Sequence, residues 1–348
     1  MSAGGPRRVL VTGASGFVGA WIARGLHEGG YRVRALHRRT PPPEALVELA
    51  ARGVEVRRGD LTQEPDARAA VEGQEAVVHA AGLASDWGPE QRFLQHNVEA
   101  TVWLLEAARQ AACRLFVFVG SVSVHGFGPH RRTTEQGPYY PLISFYQTTK
   151  RQAEESVLAA DGPQMRTVVL RPANVYGPGD ATTFYRLLAA QRRGIRGTLG
   201  GGRRLTSVIY VEDLVQAVVR VLENEAAAGQ VFNIASGEEV RWAELLGYTA
   251  SLLGVRPWLE LPVALARVLA PLLEGVYRLF GIRTDPPLTR YRVAHVAHDF
   301  DFSIEKARRL LGWSPQVDWK EGLRRTVAAF LKDRGGAEEI SRPYRMYS

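Results

Sequence analysis

The chain has 348 residues, 45% hydrophobic and 23% charged, ordinary values for a globular protein that exclude a disordered, collagenous or coiled-coil chain. The single cysteine, Cys113, excludes a disulfide framework and a cysteine-built metal site, and no metal is expected. The net charge is +8, but its basic residues, 40 of the 44 being arginine, are scattered in ones and twos, which argues against nucleic-acid binding.

Residues 1–8 are polar and short, with no apolar core of a signal peptide, so a cytoplasmic location is expected. No run of 18 residues lacks a charge, so no membrane-spanning helix is expected. Strands are predicted at 8–12, 32–36, 54–56, 76–81, 115–119 and 167–170. Helix-length segments lie between them, notably 21–29, 90–112 and 146–160. Such alternation predicts a doubly wound α/β fold with a parallel sheet, its strands apolar on both faces. After residue 172 the rhythm loosens. Helices are predicted near 183–193, 212–224, 241–253, 262–280, 303–311 and 319–333. The expected organisation is a dinucleotide-binding domain over 7–172, with later returns of the chain to it, a smaller substrate lobe over 173–334, and a loose tail over 335–348.

The first strand runs into Gly13-Ala14-Ser15-Gly16-Phe17-Val18-Gly19, a GxxGxxG turn that opens a helix. In that context the first glycine permits the turn, the second admits a pyrophosphate to backbone N–H groups, and the third allows close helix–strand packing. The helix N-terminus favours the phosphate charge. Gly13, Ser15, Gly16, Phe17, Val18 and Gly19 are the candidate contacts.

The second strand ends in Leu36-His37-Arg38-Arg39, with no acid to accept a ribose 2′-hydroxyl. A guanidinium suits a 2′-phosphate, so NADP(H) is favoured over NAD(H), with Arg38 as its reader and His37 beside it.

Tyr146-Gln147-Thr148-Thr149-Lys150 is YxxxK, which puts tyrosine and lysine on one helical face. A nearby ammonium lowers a tyrosine pKa, and the phenol can then exchange a proton with an alcohol or ketone as hydride moves. Ser121, at the end of the fifth strand, precedes Tyr146 by 25 residues, and its hydroxyl can orient the substrate oxygen. Ser123 competes for that role.

Together these motifs resemble the extended short-chain dehydrogenase/reductase family, with its Rossmann-type sheet and smaller C-terminal lobe. Further matches are Asn97-Val98-Glu99-Ala100-Thr101, Leu170-Arg171-Pro172-Ala173-Asn174-Val175-Tyr176-Gly177, Tyr210-Val211-Glu212-Asp213, Phe232-Asn233-Ile234 and Leu311-Gly312-Trp313. His125 stands where the family has tyrosine. The resemblance implies catalysis by Ser121, Tyr146 and Lys150. It places Asp60 and Leu61 at the adenine, Ala80 along the cofactor, Lys150 at the nicotinamide ribose, and Pro172 and Val175 beside the nicotinamide. It also implies a homodimer through helices 90–112 and 146–160, with Val102, Leu105 and Val157 as interface candidates.

Sugar-nucleotide members carry Arg-Asp-Phe before the Tyr-Val-x-Asp stretch; here the residues are Thr206-Ser207-Val208. Segment 258–282 is apolar, with charges about every seven residues. It resembles an insert of 3β-hydroxysteroid dehydrogenase-like proteins. Trp258 and Leu261 are therefore expected to wall an apolar pocket, with Ser123 and Asn174 as its polar contacts. A helix packed on the core and a membrane-interface helix are the competing readings of this segment. The expected activity is hydride transfer between NADP(H) and the ketone or secondary alcohol of a fairly apolar molecule. The alternatives are a nucleotide-sugar epimerase with bound NAD(P), and a non-catalytic dinucleotide sensor.

Overall fold

Seven strands form one parallel sheet in the computed structural model, which describes residues 7–40, 42–194, 197–256, 259–282 and 284–333. They are β1 (Arg8–Thr12), β2 (Arg32–His37), β3 (Glu55–Arg58), β4 (Ala76–His79), β5 (Leu115–Val119), β6 (Arg166–Pro172) and β7 (Gln230–Ile234). Their order is β7-β6-β5-β4-β1-β2-β3. The chain leaves β1 towards β2 on one side and returns through β4 on the other. A crevice therefore opens beyond the C-terminal ends of β1 and β4, where such sheets bind ligands.

Between the strands run α1 (Phe17–Glu28), α2 (Glu44–Ala51), α3 (Glu64–Val71), α4 (Ala100–Gln110) and α5 (Phe145–Ala159). Then come α6 (Phe184–Arg192), α7 (Val211–Glu223), α8 (Trp242–Leu252), α9 (Val263–Leu279), α10 (Arg290–Ala297), α11 (Glu305–Leu311) and α12 (Trp319–Asp333). Val9 and Val11 point to one face of the sheet, under α1, α2 and α7, and Leu10 points to the other, under α3, α4 and α5. Both layers are dry, which is why β1 shows no polar alternation.

Several elements differ from the expectation. Phe232-Asn233-Ile234, inside the 173–334 stretch read as the second lobe, belongs to β7, an edge strand of the central sheet paired with β6. Its helix α7 returns as well, packing on α1 so closely that a Cβ at Gly25 would strike Val215. Leu105 and Val157, expected at a dimer surface, are buried in the core layer of α4 and α5; only Val102 of the three is exposed. The second lobe contains strands of two to four residues, among them Asn174–Tyr176 on Val208–Tyr210 and Gly197–Leu199 on Leu259–Leu261. These are too short to give a periodic signal. Among the described residues, no helix is long and apolar enough to cross a membrane. The tail from residue 334 lies outside the described residues, as does Trp258.

Candidate active site

The glycine turn is built for close approach. Gly13 has φ +69, and a Cβ there would lie 2.7 Å from the Ala81 nitrogen and 2.9 Å from the Ala80 carbonyl carbon. A Cβ at Gly19 would strike the Gly13 carbonyl. Gly16 caps α1 with no side-chain hydrogen bond, and the first turn holds no acid. That leaves its N–H groups to an anion, as at other phosphate-binding helix N-termini. Trp21 Nε1 donates to the Pro178 carbonyl at 2.9 Å, so the loop after β6 is tied across the start of α1. This cradle fits a dinucleotide pyrophosphate, which the backbone of residues 13–19 would hold.

Beneath the turn, one imidazole links β1 to β4. Thr101 Oγ1 donates to the Asn97 carbonyl at 2.6 Å, so at His79 Nε2 it accepts, at 3.0 Å. His79 Nδ1 then accepts from Thr12 Oγ1 at 2.7 Å, which in turn accepts from Ala81 N at 3.2 Å. Burial lowers the His79 pKa to about 3, with Lys150 adding to the effect, so the ring is neutral. The chain fixes the backbone at Ala80 and Ala81 against Gly13.

At the far end of the crevice, Arg38 is exposed, with Nη1 3.7 Å from Asp60 Oδ2 and 3.5 Å from His96 Nε2. Asp60 Oδ1 accepts from Thr62 N and Thr62 Oγ1. Leu61 is buried. His37 turns its Nδ1 onto the Arg39 carbonyl at 2.9 Å and is itself buried, so it is a backbone brace.

Tyr146, Lys150, Ser121 and Ser123 converge at the C-terminal end of β5. Ser144 caps α5, accepting from Gln147 N at 3.2 Å. Buried Gln147 donates to the Ser123 carbonyl at 3.2 Å, fixing the serine turn to the helix. Ser121 Oγ accepts from Ser123 N at 3.1 Å, and Ser123 Oγ is buried among the Tyr146 and Tyr291 phenols. Burial raises the Tyr146 pKa, opposed by the hydroxyls of Ser121 and Ser123. The phenol is therefore protonated at neutral pH.

Lys150 departs from the expectation drawn from its spacing. Its Nζ donates to the Val119 carbonyl at 2.8 Å and lies 4.3 Å from the Phe118 ring centre. The groups that favour tyrosinate are the serines, not this ammonium. Burial lowers the Lys150 pKa to about 8, against a raising effect of Glu154 one turn on. Glu154 is itself clamped by buried Arg171, through Nε at 3.0 and 3.1 Å and through Nη2. Arg171 Nη1 also donates to His125 Nε2 at 2.9 Å. The histidine that replaces the family's tyrosine is thus a neutral acceptor, its pKa lowered to about 3 by burial and by Arg171.

A third element crosses the site. Asn97 lies in a π-helical turn, Leu94–Glu99, just before α4. Its Oδ1 accepts from Leu83 N at 2.6 Å, and its Nδ2 donates to Thr149 Oγ1 at 3.0 Å. It holds the loop after β4 beside α5. π-turns of this kind recur at functional sites.

The sequence reading missed the aromatic side of the site. Tyr291 on α10 sets its ring edge-on to Tyr146, centroids 6.5 Å apart, and edge-on to Phe127 at 4.8 Å. Burial, together with Tyr146 and Asp86, raises the Tyr291 pKa well above its ordinary value, opposed by the Ser123 hydroxyl. His295 stacks on Phe127 at 5.4 Å; burial lowers its pKa to about 4. Asn174 spends its Nδ2 on Thr206 Oγ1, the Ser207 carbonyl and His295 Nε2. Leu261 packs with Leu199, Ala266, Ala270, Leu288 and Val293 beneath α9. Pro172 ends β6, and Val175 pairs with Ile209 in the neighbouring two-stranded ladder. The signal for Tyr291 was absent because an aromatic in a short helix resembles core until its neighbours are known.

A model of the NAD dependent epimerase/dehydratase family matches residues 9–235. The chain is 32% identical over 336 residues to the 2-alkyl-3-oxoalkanoate reductase of Stenotrophomonas maltophilia (strain K279a), covering 92% of this chain and 99% of that one. It is 29% identical over 338 residues to the decarboxylating sterol-4-alpha-carboxylate 3-dehydrogenase of Mus musculus, covering 93% and 91%. The solved structure of MoeE5 in complex with UDP-glucuronic acid and NAD superposes with a TM-score of 0.75 at 27% identity, covering 94% and 99%.

Proposed function

This chain belongs to the NAD dependent epimerase/dehydratase family, and from that premise we propose that it is an NADP(H)-dependent ketone reductase, or alcohol dehydrogenase, for a fairly apolar substrate. The observation that carries the reading is the surround of Tyr146: a protonated phenol faced by Tyr291 and, behind it, Phe127 and a neutral His295. An apolar ketone fits that surround, and a diphosphate does not.

The dinucleotide supplies or accepts hydride when bound. Residues 13–19 hold its pyrophosphate, Arg38 meets the adenosine 2′-phosphate, Asp60 and Leu61 border the adenine, and Lys150 holds the nicotinamide ribose. In reduction, Tyr146 donates its phenolic proton to the carbonyl oxygen as that oxygen gains charge, and in oxidation the tyrosinate takes the alcohol proton. Ser121 and Ser123, whose hydroxyls face the Tyr146 phenol, orient the oxygen. Names of relatives agree with carbonyl chemistry next to a carboxylate-bearing carbon, a substrate class to include in the test.

The epimerase alternative is supported by the likeness to MoeE5. It is weakened by Thr206 and Ser207, buried where sugar-nucleotide members grip diphosphate with arginine, and by Arg204, drawn towards Asp299 at 3.7 Å. A homodimer through α4 and α5 belongs to the same reading, with Val102 exposed on it.

The test is a panel of long-chain 3-oxo acids, sterol ketones and UDP-sugars, followed by NADPH absorbance and by product analysis. Stoichiometric NADPH consumption with a ketone supports the reading. Conversion of a UDP-sugar without net NADPH consumption favours the epimerase, and no turnover of any member favours a sensor.

A further inference from the structure

The loop after β4 reaches across to α10. Asn97 holds it at Leu83, and the Ser85 hydroxyl closes the next turn, donating to the Trp87 carbonyl at 2.9 Å and accepting from Trp87 N at 3.1 Å. Asp86 lies inside this turn, its side chain only 11% exposed. Thr289 Oγ1, 203 positions along the chain, donates to Asp86 Oδ2 at 2.6 Å. The same hydroxyl caps α10 by accepting from Arg292 N at 3.1 Å. Arg292 Nη2 donates to Asp86 Oδ1 at 3.0 Å, and Arg292 Nε lies 3.0 Å from Oδ2. A carboxylate gripped at both oxygens by a guanidinium fixes direction as well as distance. Glu274 and Asp285 also brace α10, through Arg290 and Arg292, but both belong to the same lobe and cannot set its place against the sheet.

We propose that Asp86 is a positioning residue: through Thr289 and Arg292 it seats the first turn of α10 and so sets the Tyr291 ring against the Tyr146 phenol. The bonds close a circuit. Tyr146 stands on α5, Thr149 of α5 accepts from Asn97, Asn97 holds Leu83, and Asp86 of the same loop holds the two residues that bracket Tyr291. Tyr291 is the second residue of an eight-residue helix, so any shift of that first turn carries its ring directly. Asp86 lies near enough to Tyr291 to help keep its phenol protonated. Its carboxylate is not needed merely to neutralise Arg292, which also pairs with Asp285. What Asp86 alone adds is a link from that guanidinium to the loop after β4.

The kinetic part of this inference rests on the reading of Tyr146 and Tyr291 given above, so the test includes an arm that needs no turnover. A fluorotyrosine placed at position 291 of the full chain reports the ring by its fluorine resonance. Asp86→Asn preserves shape and leaves Arg292 its Asp285 partner; it should nearly keep the melting temperature and should shift or split the resonance. An unmoved resonance overturns the proposal. With a ketone that the chain reduces, Asp86→Asn should raise KM on the order of tenfold, the scale of one charge-assisted hydrogen bond, with the affinity for NADPH unchanged. In a Tyr291→Ala background the same substitution should leave KM unchanged, because no ring remains to be placed; additive effects in that cycle overturn the proposal. If Asp86→Asn does not fold, Thr289→Val removes the hydroxyl that joins the two elements and should move the resonance and KM in the same way, and its failure to do so overturns the proposal as well. A moved resonance beside an unchanged KM supports the seat and overturns the reading of Tyr291 as a wall of the substrate site.

Discussion

The ring of Tyr291 stands edge-on to that of Tyr146, centroids 6.5 Å apart, although 145 positions separate them in the chain. One belongs to the sheet's own helix α5 and the other to α10 of the second lobe. In the proposed reaction the substrate oxygen enters between a group that exchanges the proton and a group that the lobe supplies. Tyr291→Phe removes a hydroxyl near Ser123 and should lower kcat/KM by about tenfold, the scale of one hydrogen bond. Tyr291→Ser should also raise KM for the more apolar ketones. If Tyr291 only packs on Phe127, both variants will lose melting temperature and keep KM, as steady-state kinetics on the same preparation will reveal.

Tyr146→Phe should reduce turnover by at least ~10², the usual effect of losing an acid/base group. The dinucleotide cradle lies on β1 and α1, so the affinity for NADPH, read by fluorescence titration, should hardly change. Near-native turnover in this variant would remove Tyr146 from the chemistry.

Arg38 shares its charge with Asp60 at 3.7 Å, yet remains exposed at the end of the adenine side. Arg38→Asp puts two carboxylates where a phosphate is expected. Affinity for NADPH should fall at least ~10-fold more than affinity for NADH. Equal losses would mean that another group selects the cofactor.

Lys150 has its pKa lowered to about 8 by burial, so its charge is present below that pH and is lost as pH rises through it. Ketone reduction that needs the ammonium should decline over the same interval. Glu154 is the group that opposes this lowering, and Glu154→Gln should shift the decline to lower pH. The variant also leaves Arg171 buried without its carboxylate, at a cost of several kcal/mol. Melting temperature records that second effect, and the pH profile of kcat/KM records the first. A profile unmoved by the substitution would detach Glu154 from Lys150. The group's contribution to stability runs the other way: the unfolded chain holds this proton more tightly, so stability gained from Lys150 rises with pH between about 8 and its ordinary value.

The sheet was legible because its strands are short apolar runs buried on both faces, and a run such as Val9-Leu10-Val11, closed by a glycine turn, is too short to be a buried helix. The glycine turn was legible because Gly13 and Gly19 occupy places where a Cβ has no room. Tyr146 and Lys150 were found from spacing, but their relation was not: spacing put both on one face and could not tell that Lys150 reaches back to Val119. Later returns of the chain to the sheet were expected, but β7 was not singled out as one, because sequence order says nothing about which edge of a sheet a late strand joins. Leu105 and Val157 looked like surface because the opposite side of a helix is invisible without its neighbours. Tyr291 and His295 stayed hidden for a related reason, since a pocket formed by two lobes has no local signature.

The π-turn at Leu94–Glu99 accommodates one residue more than an α-helix would over the same rise. Removing any single residue there would let the segment relax to ordinary helix and rotate Asn97 by about 100° away from Leu83. The loop after β4 would lose its tether while every side chain of the site kept its identity. This stretch is therefore tolerant of exchange at its outer positions but intolerant of a change in length, and the register of α4 serves as a ruler for the depth of the crevice.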